Sequence, residues 1–226
     1  MLKGILFDVD GTLVDSNQLH AEAWSEAFKK FGLEVPAEEV RTQIGKGGDQ
    51  LLPVFLNAEQ QKEFGEELKE YRGKLFMREY MDRVKPFPRV RDLLERILSD
   101  GRKIGLATSA KEEELERLKK IAGIEDLIHK ETKSDDVERS KPEPDIFAVA
   151  LKKFGIEADE AIAVGDTPWD VKACNKLHLR TIAVTCGGWS EKDLREAGAI
   201  EIFRDPADLL ENYEKSSLAA PKERAA

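Results

Sequence analysis

The chain has 226 residues, 41% of them hydrophobic and 36% charged with the two signs interspersed, which suits one packed core with room for a smaller second module and excludes a disordered or fibrous chain. A formal net charge of −9 argues against a nucleic-acid partner, which needs a basic face, and no segment approaches membrane-spanning length. The two cysteines, Cys174 and Cys186, stand in apolar strand or helix patterns and are read as small core thiols, not as a disulfide framework or zinc cluster.

The chain opens on a short apolar run, Gly4 to Phe7, that ends at a carboxylate. No basic segment with a following apolar run precedes it, so a cytoplasmic protein is expected. From about Ser16 to Met81 the pattern is helical, with no convincing buried strand. The first helix there sets Leu19, Ala23, Trp24, Ala27 and Phe31 on one side, starts near the caps Asp15 and Ser16, and stops at Gly32. Trp24 and Phe28 read as core. The chain leaves the first strand region near Val14 to Asn17 and returns near Arg83 to Pro88, where two prolines limit helix continuation. These crossings are expected hinges.

Val90, Leu93, Leu94, Ile97 and Leu98 then repeat at helical spacing with Gly101 just beyond, and a further helix is expected over Glu112 to Ala122. Apolar runs recur at Lys103 to Ala107, Ala161 to Val164 and Thr181 to Val184, as suits strands covered on both faces. Strands alternating with helices predict an α/β fold with a doubly wound, mostly parallel sheet and its site at the carboxyl ends of the strands. The predicted organisation is a core of residues 1–15 and 82–215, an inserted α-helical cap of residues 16–81, and a flexible tail of residues 216–226.

Chemistry-bearing residues follow the strands. Asp8 and Asp10, in Asp8-Val9-Asp10-Gly11-Thr12, project from one side of a strand end, and their repulsion calls for a cation, a proton or solvent between them. Taken alone the segment also reads as an acidic turn. Thr108 and Ser109 offer hydroxyls and amides at a strand-to-helix turn, suited to an anion or to a plain helix cap. Lys141 precedes the helix that holds Ile146, Phe147 and Ala150, and Asp166 and Asp170 put a second acid pair after a strand. Hard oxygen donors of this kind suit Mg²⁺.

In these residues and their order, the chain resembles the haloacid dehalogenase superfamily of phosphohydrolases, in the branch with a helical cap inserted after the first motif. Asp8 to Thr12, Thr108, Lys141, and Asp166 with Asp170 match its four motifs. The resemblance implies a Rossmann-like core and a Mg²⁺-dependent phosphatase acting on a small-molecule phosphate ester, with no nucleic acid or membrane partner, as a monomer or weak homodimer. It implies that Asp8 attacks phosphorus, Asp10 moves protons, and Thr108 and Lys141 stabilise the transferring group. Mg²⁺ would be held by Asp8, the backbone carbonyl of Asp10 and Asp166, with Asp170 fixing its waters. Phosphate or substrate contacts are expected from Thr12, Thr108, Ser109, Lys141, His20 and Lys46, Thr12 also ordering its own loop.

Other readings remain at this point. The chain also resembles β-phosphoglucomutase at Asp8, Asp10, His20 and Trp24. Where those mutases present a phosphate-binding arginine and a neutral side chain, Asp49 and Glu112 stand here and are expected to repel a second phosphate. The cap loop Gly45 to Asp49 is similar to that of phosphoglycolate phosphatases. From a different class come a phospho-acceptor signalling domain, which gathers similar acids on a doubly wound sheet, and a non-catalytic binding domain on the same fold.

Overall fold

The computed structural model describes residues 1–219. Six parallel strands form the main sheet: β1 (Gly4–Phe7), β4 (Lys103–Ala107), β5 (Lys130–Thr132), β6 (Ala161–Gly165), β7 (Arg180–Val184) and β8 (Glu201–Phe203), in the spatial order β5-β4-β1-β6-β7-β8. The chain builds outward from β1 to β5, then returns to lay β6 against the other side of β1. That reversal of strand order opens a crevice at the carboxyl end of β1. Phe7 pairs with Leu106 of β4 and with Val164 of β6, so the residues that follow these three strands emerge side by side.

The sheet is buried on both faces, as its unbroken apolar runs require. Ile5, Phe7, Ile104, Leu106, Ile162 and Val164 pack on one face with α5 (Val90–Ser99), α6 (Glu112–Ala122) and α10 (Pro206–Glu211). Leu6, Ala161 and Ala163 face α7 (Asp145–Phe154) and α8 (Pro168–Asn175) on the other. The edge strands β5 and β8 lack a continuous apolar run, reading Lys-Glu-Thr and Glu-Ile-Phe, and for that reason only the four inner strands stand out in the sequence. A short helix, α9 (Glu191–Ala197), connects β7 to β8.

Between β1 and β4 the chain forms a group of helices: α1 (Asn17–Lys30), α2 (Ala37–Arg41), α3 (Gly48–Phe55) and α4 (Ala58–Leu75), with a π-helical turn at Phe76–Tyr80. Their own core joins Trp24, Ala27 and Phe28 to Val40, Leu51 and Leu68. Helix α4 starts at a reciprocal cap in which the Gln60 amide donates to Asn57 Oδ1 and the Asn57 amide donates to Gln60 Oε1. The expected cap at Ser16 is absent, because the Ser16 hydroxyl instead donates to Asp10 at 2.5 Å. The two crossings meet as an antiparallel ribbon, β2 (Val14–Asp15) against β3 (Lys85–Pro86), with Asp15 opposite Lys85.

Two expectations fail. Cys174 is buried in α8, but Cys186 lies in the loop after β7, half-buried, with its thiol directed at the Gly11 carbonyl. The segment from residue 216 is not loose where it is described: Leu218 is fully buried, and Ser217 donates its amide to Glu201 Oε1 at 3.0 Å. Leu218, an isolated apolar residue in a polar stretch, supplies the anchor that periodicity could not show. Residues 220–226 of the expected tail lie outside the described residues. No helix among the described residues is long and apolar enough to cross a membrane.

Candidate active site

Asp8, Thr108 and Asp166 sit immediately beyond β1, β4 and β6, and all three are buried. Lys141, also buried, places its ammonium 2.6 Å from Asp8 Oδ1 and 2.7 Å from Asp170 Oδ1. Carboxylate oxygens of Asp8, Asp166 and Asp170 lie within 4.8 Å of one another. One ammonium faces three acids, and burial raises the cost of that imbalance. Burial, followed by repulsion from Asp170 and Asp10, pushes the Asp8 carboxyl up to about 7 although Lys141 pulls the other way. Burial and the two neighbouring acids likewise raise Asp166 well above the ordinary range, against the relief from Asn17 and Arg41. Desolvation opposes the charge on Lys141, but Asp170 and Asp8 more than compensate and raise it above the usual lysine value.

This donor set fits a hard divalent cation. All of its ligand atoms are oxygens, its negative charge exceeds what Lys141 can neutralise, and the buried Oδ1 of neighbouring Asn17 has no hydrogen-bond partner. Asp8 and Asp166 would hold the ion. Asp170 is fixed by its own element: its Oδ2 accepts from the Thr167 amide (3.1 Å) and hydroxyl (2.6 Å), and its amide donates to Thr167 Oγ1 (3.2 Å), closing the capping box that starts α8. Thr12 lies on the motif loop but donates to Asp166 Oδ1 at 3.2 Å. It therefore orders an acid and does not face a phosphate, which corrects the contact expected of it.

Asp10 faces the helices instead. Its Oδ1 accepts from Ser16 at 2.5 Å and lies 2.8 Å from His20 Nε2. Burial works to raise its carboxyl, but His20, Ser16 and Arg72 outweigh that and hold it below the ordinary range. Arg72 NH2 stands 2.5 Å from His20 Nδ1. A guanidinium can only donate, so Nδ1 accepts and Nε2 carries the hydrogen that points at Asp10. The ring also stacks on Phe76 with a centroid separation of 4.0 Å.

A cavity of about 70 Å³ opens over these groups, with Asp8 and Asp10 below, Thr108 and Ser109 at one side, and Trp24, His20 and Lys46 among the covering residues. Trp24 is thus both core and wall. The Lys46 ammonium is held by Gln43 at 2.6 Å and lies 4.2 Å from the centre of the Trp169 ring. Asp49 does not face the cavity: it accepts from the amide of Ser140 at 3.1 Å and from its hydroxyl. Glu112 is turned outward onto Lys133. Glu112 thus leaves the phosphate-repelling position expected of it, whereas Asp49 borders a larger space next to this cavity.

Four residues escaped notice in the sequence. Asn17 donates to Asp166 Oδ2 at 2.7 Å and to the Gly187 carbonyl at 3.0 Å, and Arg41 donates to that same carbonyl. Arg72 and Glu114 complete the wall beside His20. Only a glycine fits at Gly187, because a Cβ there would collide with the Asp166 carboxylate.

The haloacid dehalogenase-like hydrolase family matches residues 5–184. The phosphoglycolate phosphatase of Yersinia pestis is 32% identical over 191 residues, 82% of each chain. The pyrophosphatase PpaX of Oceanobacillus iheyensis is 27% identical over 212 residues, 92% of this chain and 95% of that one. A hydrolase from Pseudomonas syringae superposes with a TM-score of 0.87 at 28% identity, covering 94% of this chain and 98% of that one. With the four motifs gathered at the ends of adjacent strands and the match spanning most of the sequence, the chain belongs to the haloacid dehalogenase-like hydrolases.

Proposed function

We propose that this hydrolase is a Mg²⁺-dependent phosphomonoesterase in which Asp8 is the covalent nucleophile. One observation carries the reading: Asp8 sits at the base of a covered cavity, one oxygen held by Lys141, within a buried acid cluster whose charge calls for a divalent cation. The name of the phosphoglycolate phosphatase agrees with it, and that of the pyrophosphatase agrees with phosphoryl hydrolysis in general.

In the first step an oxygen of Asp8 bonds to phosphorus as the ester P–O bond breaks, and the leaving oxygen takes a proton from Asp10. In the second, water attacks the aspartyl-phosphate, gives its proton to Asp10, and inorganic phosphate leaves with Asp8 restored. Each half is an easier displacement than direct hydrolysis. His20 and Ser16 favour the Asp10 carboxylate, the form that accepts the water's proton in the second step; the proton it hands to the leaving oxygen in the first enters on the substrate's phosphate monoanion, whose P–OH passes it to Asp10 on binding. Thr108, Ser109 and the amides around them border the cavity where the phosphoryl oxygens would lie. When bound, Mg²⁺ supplies positive charge that screens the incoming phosphate from the acids. Lys141 keeps Asp8 oriented, and the helices above exclude bulk water.

The test is phosphate release from p-nitrophenyl phosphate with Mg²⁺ or with chelator, followed by acid quench and mass mapping of labelled protein. Turnover that needs Mg²⁺, with label on Asp8, is expected. Label on another residue, or full activity in chelator, would remove the assignment.

A further inference from the structure

A second cavity of about 500 Å³ adjoins the first, and Trp24, Arg72 and Glu114 line both. Glu114 comes from the first turn of α6 yet is only 7% exposed. Its side chain makes no hydrogen bond to any described residue: the nearest donor nitrogens are His20 Nε2 at 3.7 Å and Arg72 NH1 at 3.9 Å. Arg72 is itself drawn to His20 Nδ1, and both ring nitrogens of His20 are occupied, which removes the ring as a metal ligand beside Asp10 and Glu114. What remains is a buried, acceptor-only group at the passage between the phosphoryl cavity and the larger chamber. Such a group calls for donors.

We propose that Glu114 sets the substrate class: a phosphomonoester whose leaving group is uncharged and rich in hydroxyls, such as a sugar or polyol, in preference to one carrying a carboxylate or a second phosphate. This rests on the phosphomonoesterase reading above. A leaving group bonded to phosphorus over Asp8 must pass Glu114 to reach the larger chamber. Hydroxyls there donate to the carboxylate, and a ring can lie against Trp24. An anion at the same place meets Glu114 and Asp10 with Arg72 as the cation between them. Farther out the balance does not improve. Two lysines border the chamber, Lys69 paired with Glu66 at 2.5 Å and Lys111, against Asp49, Glu66, Glu70, Asp135 and Glu138. Discrimination therefore comes from repulsion as well as from new contacts.

The experiment uses the full chain with Mg²⁺ and compares kcat/KM for glucose 6-phosphate and glycerol 3-phosphate with that for 2-phosphoglycolate and pyrophosphate. Wild type is expected to favour the hydroxylated pair at least tenfold. In Glu114→Gln, checked for folding by thermal melt, KM for the hydroxylated pair should rise and kcat/KM for the anionic pair should increase, shifting the ratio about tenfold. Should the amide not fold, Glu114→Asp keeps the charge and should retain rejection of the anions while weakening the polyols. A wild type faster on phosphoglycolate or pyrophosphate overturns the proposal, as does an unchanged ratio in a folded variant. p-Nitrophenyl phosphate separates the two levels. If wild type cleaves it but shows no preference, only the role of Glu114 falls; if wild type cleaves nothing, the phosphomonoesterase reading fails and this inference with it.

Discussion

Asp8 and Asp10 stand one residue apart, but the first is surrounded by acids and the second by donors. Asp8→Asn should reduce turnover by a factor on the order of 10⁴ or more, because the amide keeps the shape and loses the nucleophile. It should also change how stability depends on pH. The Asp8 carboxyl is raised from 3.8 to about 7, so between those values the folded protein holds a proton that the unfolded chain has lost. Stability therefore falls as pH rises across that window. In chelator, the melting temperature of Asp8→Asn relative to wild type should climb from about pH 4 to pH 7 and then level off; a flat difference would mean that Asp8 ionises freely in the fold. For Asp10→Ala, alkyl phosphates should lose roughly 10²–10⁴ in rate, and p-nitrophenyl phosphate much less, since its leaving group needs no proton. Equal losses would take proton transfer away from Asp10. These two acids and the later acid pair could be read from the sequence because each pair follows an apolar run, and Lys141 because it stands just before a helical apolar stripe. Asn17 and Arg41 could not, since nothing local marks a polar residue that reaches another strand end.

At the scale of the helix, the missed residues did leave a trace. On α4, Arg72 falls at the spacing of Gly65, Leu68 and Leu75, which are all buried. On α6, Glu114 adjoins the buried stripe of Leu115, Leu118 and Ala122, and on α1 His20 falls between Asn17 and Trp24. A charged or titratable residue on an apolar stripe must either find a partner or face a cavity: His20 and Arg72 find each other, and Glu114 faces the cavity. Replacing Arg72 with Met should free His20 Nδ1 and let the ring turn from Asp10. A charge-assisted hydrogen bond of about 1.5–3 kcal/mol is lost, and alkyl-phosphate turnover should drop about tenfold or more, with a changed acid limb in the pH–rate profile. A parallel loss for aryl and alkyl substrates would show that Arg72 acts on substrate binding and not through His20.

Across the whole molecule, the strand-helix alternation made the parallel sheet legible, while the order of its edge strands emerged only from pairing. The meeting of helices and sheet was the least legible feature, because it depends on contacts far apart in sequence. The Gly47 amide donates to Ser140 Oγ at 3.0 Å, and Asp49 closes the same junction next to Lys141. If the helices open and close over the site as a lid, Asp49→Ala should loosen the closed form. We expect KM to rise severalfold with a smaller fall in kcat, and faster amide exchange over Gly45 to Gly48. Unaltered exchange and KM would make the junction incidental to binding. The ribbon in which Asp15 faces Lys85 has a further consequence for descent. Since the chain returns to the point it left, everything between is a detour whose length leaves the strand order of the sheet untouched. Lids of different size or shape can be exchanged at that doorway over evolutionary time, and new substrate preferences acquired, while the machinery beneath keeps its address.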